Sequence, residues 1–172
     1  MLRNALRFLL PTVSHLKQAS TDRKMNNIKI RQATINDKAT AVDLDYRLDK
    51  GEHIKLKREE KITKAILDGA CFIILADERK VGFVIFDYRF FDQGWIELII
   101  IDEKHRGKGI GKKVFDIICE QCKSEKVFTS TNRSNTQMQR ALEKADFSFS
   151  GELKGLDEGD PELFYYKRIN AS

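Results

Sequence analysis

Arg106-Gly107-Lys108-Gly109-Ile110-Gly111-Lys112 is the stretch whose reading decides this chain. It follows Trp95 to Ile101, a largely apolar run that reads as a buried strand. It precedes Val114, Phe115, Ile117 and Ile118, whose three- and four-residue spacing marks one face of a helix. Strand, glycine-rich turn and helix together make an anion site. The first N–H groups of a helix have no acceptor within it, and they lie at the positive end of its dipole. Glycine keeps side chains out of the way of an approaching phosphate. Arg106, Lys108, Lys112 and Lys113 add positive charge, so the turn reads as a seat for a pyrophosphate.

Two common phosphate patterns do not fit. The mononucleotide loop G-x-x-x-x-G-K-[ST] fails because Lys112 is followed by Lys113 and not by a hydroxyl residue. The dinucleotide fingerprint G-x-G-x-x-G fails because, counted from Gly107 and Gly109, its third glycine falls at Lys112. R-x-x-G-x-G does fit, as Arg106, Gly109 and Gly111. After a strand, this resembles the acetyl-CoA signature of the GNAT family of N-acetyltransferases.

Composition narrows the classes. A chain of 172 residues, 41% hydrophobic and 33% charged, has the length of one domain with a proper core. No apolar run reaches the length of a membrane span. The net charge of +5 is concentrated at one end: residues 1–24 carry five cations against one acid, which leaves +1 for everything after them. Such a near-neutral domain is a poor nucleic-acid binder. Cys71, Cys119 and Cys122 cannot form a paired disulfide framework, and Cys119-x-x-Cys122 lies in a helical pattern without the further ligands zinc requires. No metal site is expected, and free thiols suit a reducing, cytoplasmic setting. Residues 1–24 read as an extension outside the fold, either a transit peptide or an upstream start, with a domain over residues 25–172.

In chain order, Ile28 and Ile30 suggest a first strand. Thr34 can cap a helix with Ile35, Ala39, Val42 and Leu44 on its apolar side. A polar loop from Tyr46 to His53 leads to a second helix, Leu56 to Leu67, with Ile62, Ala65 and Ile66 inward and Gly69 ending it. Cys71–Ala76 and Val81–Tyr88 read as a hairpin about Asp77–Lys80, and Phe91–Gly94 turns into Trp95–Ile101. Val127–Thr131 is a fifth strand, and the helix after Asn135 carries Met138, Ala141, Leu142 and Ala145 on one face. Two closing strands flank the acidic loop Asp157-Glu158-Gly159-Asp160-Pro161-Glu162, read as solvated or as a lure for a cationic amine. The order β-α-α-β-β-β-α-β-α-β-β predicts an α/β fold, a mixed sheet with helices on both faces. It is also the order of the GNAT fold, and Thr131-Asn132-Arg133-Ser134-Asn135 resembles a second family segment.

That resemblance implies roles. Acetyl-CoA would be the cosubstrate, its pyrophosphate held by Arg106, Gly107, Lys108, Gly109, Ile110, Gly111 and Lys112. Its pantetheine arm would pair with the main chain of Ile99, Ile100 and Ile101, and Asn132 and Asn135 would complete the cofactor site. Catalysis is expected by direct attack of an amine acceptor in a ternary complex, with the protein a monomer or homodimer and with neither nucleic acid nor membrane as partner. Glu97, a carboxylate within an apolar strand, is the candidate base; an outward-facing or salt-bridged Glu is the other reading. Two departures from the family stand out. Leu142 occupies the place of the usual acidic Tyr, and Asp146 that of a Gly. Tyr166 or Tyr165 on the last strand is the substitute acid considered, against a core or sheet-face role. The alternative function is a non-catalytic acyl-CoA-binding module.

Overall fold

The computed structural model describes residues 27–46 and 52–169. The segment read as an N-terminal extension and most of the loop expected after Tyr46 lie outside them. The elements are β1 (Ile28–Gln32), a 3-10 turn (Ile35–Asp37), α1 (Lys38–Tyr46), α2 (Glu52–Leu67), β2 (Cys71–Ala76), β3 (Arg79–Phe90), β4 (Gln93–Ile101), α3 (Ile110–Gln121), β5 (Lys126–Asn132), α4 (Thr136–Lys144), β6 (Ser148–Leu153) and β7 (Glu162–Arg168). The expected order is therefore observed. Seven strands form one sheet in the order β1-β2-β3-β4-β5-β7-β6, and every neighbouring pair is antiparallel except β4 with β5.

Alternation along each strand feeds two cores. On one face Val84, Ile96, Val127 and Leu163 meet Val114, Phe115 and Ile118 of α3 and Leu142 of α4. On the other, Ile73, Phe83 and Ile85 meet Ala41 and Leu44 of α1 and Ile62, Ala65 and Ile66 of α2. Each fully buried Ile or Phe stabilises by about 1.5–3 kcal/mol. The α2 face matches its sequence reading, but the helix starts at Glu52, four residues before Leu56, so the backbone at His53 is helical. The side chain of His53 lies outside the described residues. Gly69 ends the helix with φ +73, its N–H on the Ile66 carbonyl.

The α1 face differs from expectation. Ile35 is 56% exposed and Ala39 faces solvent, while Ala41 is completely buried. A 3-10 turn precedes the helix and shifts its phase, and two of the buried positions are acids. The Asp37 carboxylate receives two guanidinium bonds from Arg31 (2.8 and 2.8 Å), the Lys80 ammonium (2.7 Å), and the N–H and hydroxyl of Thr34. The Arg31 guanidinium holds that carboxyl well below the usual carboxylate range. Asp45 is pinned in the same way by Arg58 of α2 (3.0 and 2.8 Å). Both hairpins turn in two residues rather than four: Asp77 and Glu78 at φ 47 and 64, then Phe91 and Asp92 at φ 51 and 57. Among the described residues no helix is long and apolar enough to cross a membrane. Cys71 and Cys119 are buried, which pushes both thiols up to about 11, and Cys122 closes the end of α3.

Candidate active site

The parallel pair β4 and β5 opens halfway along. Their register runs Gly94↔Val127, Trp95↔Phe128 and Ile96↔Thr129 and stops there. A last bond fastens the fork, from the buried Thr129 hydroxyl to the Ile96 carbonyl (2.9 Å). Beyond it the two strands separate, with Leu98–Ile101 and Ser130–Asn132 each still paired with its outer neighbour. Ile99, Ile100 and Ile101 line one arm of the fork. Ile100 belongs to the core under α1 and α2, and Ile99 and Ile101 pack toward α3. A side chain at Gly82 would collide with the Ile100 carbonyl, so glycine is what lets β3 lie this close.

The glycine turn joins this arm to α3. Gly107 and Gly109 have φ +72 and +78, and a Cβ at either would meet nothing within 4 Å. These glycines answer a backbone conformation and leave open space in front of it. Gly109 is the N-cap and offers no side chain to the helix. Lys113 donates to the Gly109 carbonyl (3.2 Å), so Ile110, Gly111 and Lys112 have no helical acceptor for their N–H groups. That arrangement fits a diphosphate. The surrounding cations are partly committed: Arg106 Nε donates to the Ile101 carbonyl (2.9 Å), and Lys112 pairs with Asp116 (2.9 Å). Lys108 is exposed.

Asn132 and Asn135 sit at the end of the other arm and are engaged within the protein. Asn135 caps α4, its side-chain oxygen accepting from the Met138 N–H (3.1 Å). Asn132 donates to the Asp157 carboxylate (2.9 Å). Asp160 accepts from the Ser134 N–H (2.9 Å) and hydroxyl (2.6 Å), and these bonds hold its carboxyl below the ordinary value. The acidic loop is largely solvent-exposed, as read, and it also clasps the start of α4.

Glu97 is the surplus residue of a β-bulge. Ile85 of β3 pairs with Leu98 and Phe86 with Ile96, so Glu97 has no opposite number. Its half-buried side chain points under α2, where the Lys61 ammonium lies 2.7 Å from its Oε1. Of the two readings of Glu97, the ion pair is observed, and it stands beside the fork. The same face carries an aromatic wall: Phe90 stacks on Trp95 (4.6 Å between centroids), and Phe128 and Phe164 lie 5.3 and 6.1 Å from Phe90. Tyr166 continues that wall, 5.9 Å from Phe128, and its main chain is in register with Phe128. Tyr165 points the other way into the α3 and α4 core, 5% exposed. Leu142 is fully buried there too, and Asp146 adopts φ 63, the conformation a glycine would favour. Lys61 and the aromatic wall were not legible in the sequence; no local pattern announces an ion pair between a helix and a strand 36 residues later.

Comparisons with known proteins bear on the family and the fold. The model of the acetyltransferase (GNAT) family matches residues 38–147, which takes in both the glycine turn and the Thr131–Asn135 segment. A spermine/spermidine N(1)-acetyltransferase of Bacillus subtilis is 32% identical over 63 residues, covering 34% of this chain and 41% of that protein. This chain therefore matches less than half the length of that relative. A GNAT-family acetyltransferase from Bacillus cereus superposes with a TM-score of 0.75 at 29% identity, covering 85% of this chain and all of the other. A candidate acetyltransferase from Salmonella typhimurium, solved with its cofactor acetyl-CoA, shares the fold at a TM-score of 0.64 and 15% identity, over 86% and 96% of the two chains.

Proposed function

That this chain belongs to the acetyltransferase (GNAT) family is the premise from which we propose its function. It transfers the acetyl group of acetyl-CoA to a primary amine of a small molecule, by direct attack in a ternary complex. The observation that carries this reading is the uncapped start of α3 at the end of a forked parallel strand pair. The free N–H groups of Ile110, Gly111 and Lys112 would take the pyrophosphate, with Arg106 and Lys108 beside it. Charge-assisted hydrogen bonds of this kind contribute about 1.5–3 kcal/mol each. Main chain on the Ile99–Ile101 arm would take the amide-bearing pantetheine. Bound there, acetyl-CoA supplies an activated acyl group with a thiolate leaving group.

The protein's own task is the acceptor. An alkylamine with pKa ~10.4 costs roughly 4–5 kcal/mol to deprotonate at neutral pH. Glu97 is the proposed acceptor of that proton, and the rings of Phe90, Trp95 and Phe128 offer an apolar, cation-tolerant wall for an alkylammonium chain. Similarity to a spermine/spermidine acetyltransferase supports the same class of acceptor. Tyr166, on the face of Glu97, is the candidate proton donor to the thiolate.

Glu97→Gln tests the assignment. At pH 7 its kcat on a polyamine is expected about 100-fold below native, with the gap narrowing as pH rises and the amine loses its own proton. A native rate at pH 7 removes Glu97 from the mechanism. Complete burial of Leu142 where the family places a Tyr favours a second reading, an acyl-CoA binder without chemistry. Thiol release on adding any of a panel of amines would dismiss it.

A further inference from the structure

We propose that Lys61 is a self-acetylation site: the enzyme transfers an acetyl group from acetyl-CoA to its own Lys61 Nζ when no small amine is present. The inference rests on the reading of Glu97 as the base. Burial of Ile62, Ala65 and Ile66 holds α2 flat on the sheet, and this sends the Lys61 side chain over β4. There its Nζ lies 2.7 Å from Glu97 Oε1. An acceptor amine must place its nitrogen about 2.6–3.2 Å from the base that deprotonates it. Lys61 therefore stands where the acceptor nitrogen belongs. Neighbouring lysines do not: Lys64 is turned to Asp68 (2.8 Å), Lys38 to Glu59 (3.0 Å) and Lys80 to Asp37 (2.7 Å).

An amine carried on the same chain enjoys a large effective concentration over any dissolved one. The step balances as an ordinary aminolysis. Lys61 gives one proton through Glu97 to solvent, its Nζ forms the N–C bond to the acetyl carbon, the thioester C–S bond breaks, and the second proton leaves with coenzyme A as its thiol. The product is a neutral amide that no longer pairs with Glu97. A small cationic acceptor must displace Lys61 from Glu97, and so protects it.

The test reads the protein's own mass. Full-length protein is incubated with isotope-labelled acetyl-CoA without any amine, digested and sequenced by mass spectrometry. Lys61 is expected to carry at least ten times the label of Lys64, although the Lys64 side chain is the more exposed (68% against 41%). The rate should not depend on protein concentration, Lys61→Arg should abolish the label, and Glu97→Gln should lower it at least tenfold. Label on Lys61 no greater than on Lys64, in protein that acetylates small amines, overturns the proposal. Failure of both labelling and amine acetylation in protein that binds coenzyme A removes catalysis itself. Failure to bind coenzyme A by calorimetry sinks the functional reading beneath it.

Discussion

Two helices begin where two parallel strands leave the sheet, and their first turns are built in opposite ways. At the start of α4, Asn135 closes the turn with its own side chain, and Asp160 occupies the Ser134 N–H just before it. At the start of α3, Gly109 closes nothing, and the N–H groups of Ile110, Gly111 and Lys112 receive no capping side chain. Both ends carry the same dipole and the same orphan donors. One end satisfies them from within the chain, and the other leaves them to the diphosphate proposed above. Fold alone does not choose between these uses; a single residue at the N-cap does.

The comparison can be broken most severely at Gly109. Gly109→Asp puts a carboxylate where the diphosphate is proposed to sit, and coenzyme A affinity by calorimetry should fall at least 100-fold, about 3 kcal/mol. Unchanged affinity in a folded variant would erase the contrast. Hydrogen exchange reads it without mutation. Amides of Ile110, Gly111 and Lys112 should exchange quickly in the free protein and slow at least tenfold with coenzyme A, whereas those of Ser134 and Met138 should be slow in both states. Asn135→Ala strips the self-made cap and should cost about 1 kcal/mol in urea unfolding. A loss of coenzyme A affinity beyond tenfold in that variant would make the second helix start part of the ligand site as well.

The smallest effect is one of pH. Asp160 has its folded pKa lowered by its bonds to Ser134, so its contribution is present above the unfolded value near 3.9 and fades as pH falls below it. Exchange at the Ser134 amide should accelerate, beyond the intrinsic pH trend, as the solution passes below about pH 4. The α3 start has no titrating cap and should show no such step.

Much of this was legible because it was local. Gly107, Gly109 and Gly111 after an apolar run announce the turn, and the spacing of Ile62, Ala65 and Ile66 fixes the buried side of α2. The α1 face was misread at Ile35 and Ala39 because hydrophobic periodicity assumes that acids stay outside, and Asp37 and Asp45 are instead buried against arginines. The acidic loop is largely exposed, as read, but its bonds to Asn132 and Ser134 were not legible, because those donors lie more than twenty residues away. The family resemblance, and no local pattern, pointed to Asn135 as a cofactor contact; its bond to the Met138 N–H is a helix cap that the sequence reading did not include. Lys61 illustrates the general limit: pairings set by the stacking of a helix on a strand leave no mark on either segment alone.

The extra residue in β4 has one more consequence. Before it Ile96 belongs to the α3 side; after it Leu98 and Ile100 belong to the α2 side, and Ile99 and Ile101 return to the α3 side. Strict alternation from Ile96 would send each of the last four residues to the opposite layer. Removing the one position that carries the carboxylate would instead set Leu98 directly after Ile96 and restore plain alternation, with the far half still facing the layers it faces now. The carboxylate is therefore carried at a position that neither core counts: β3 pairs past it, and both layers keep their faces with or without it.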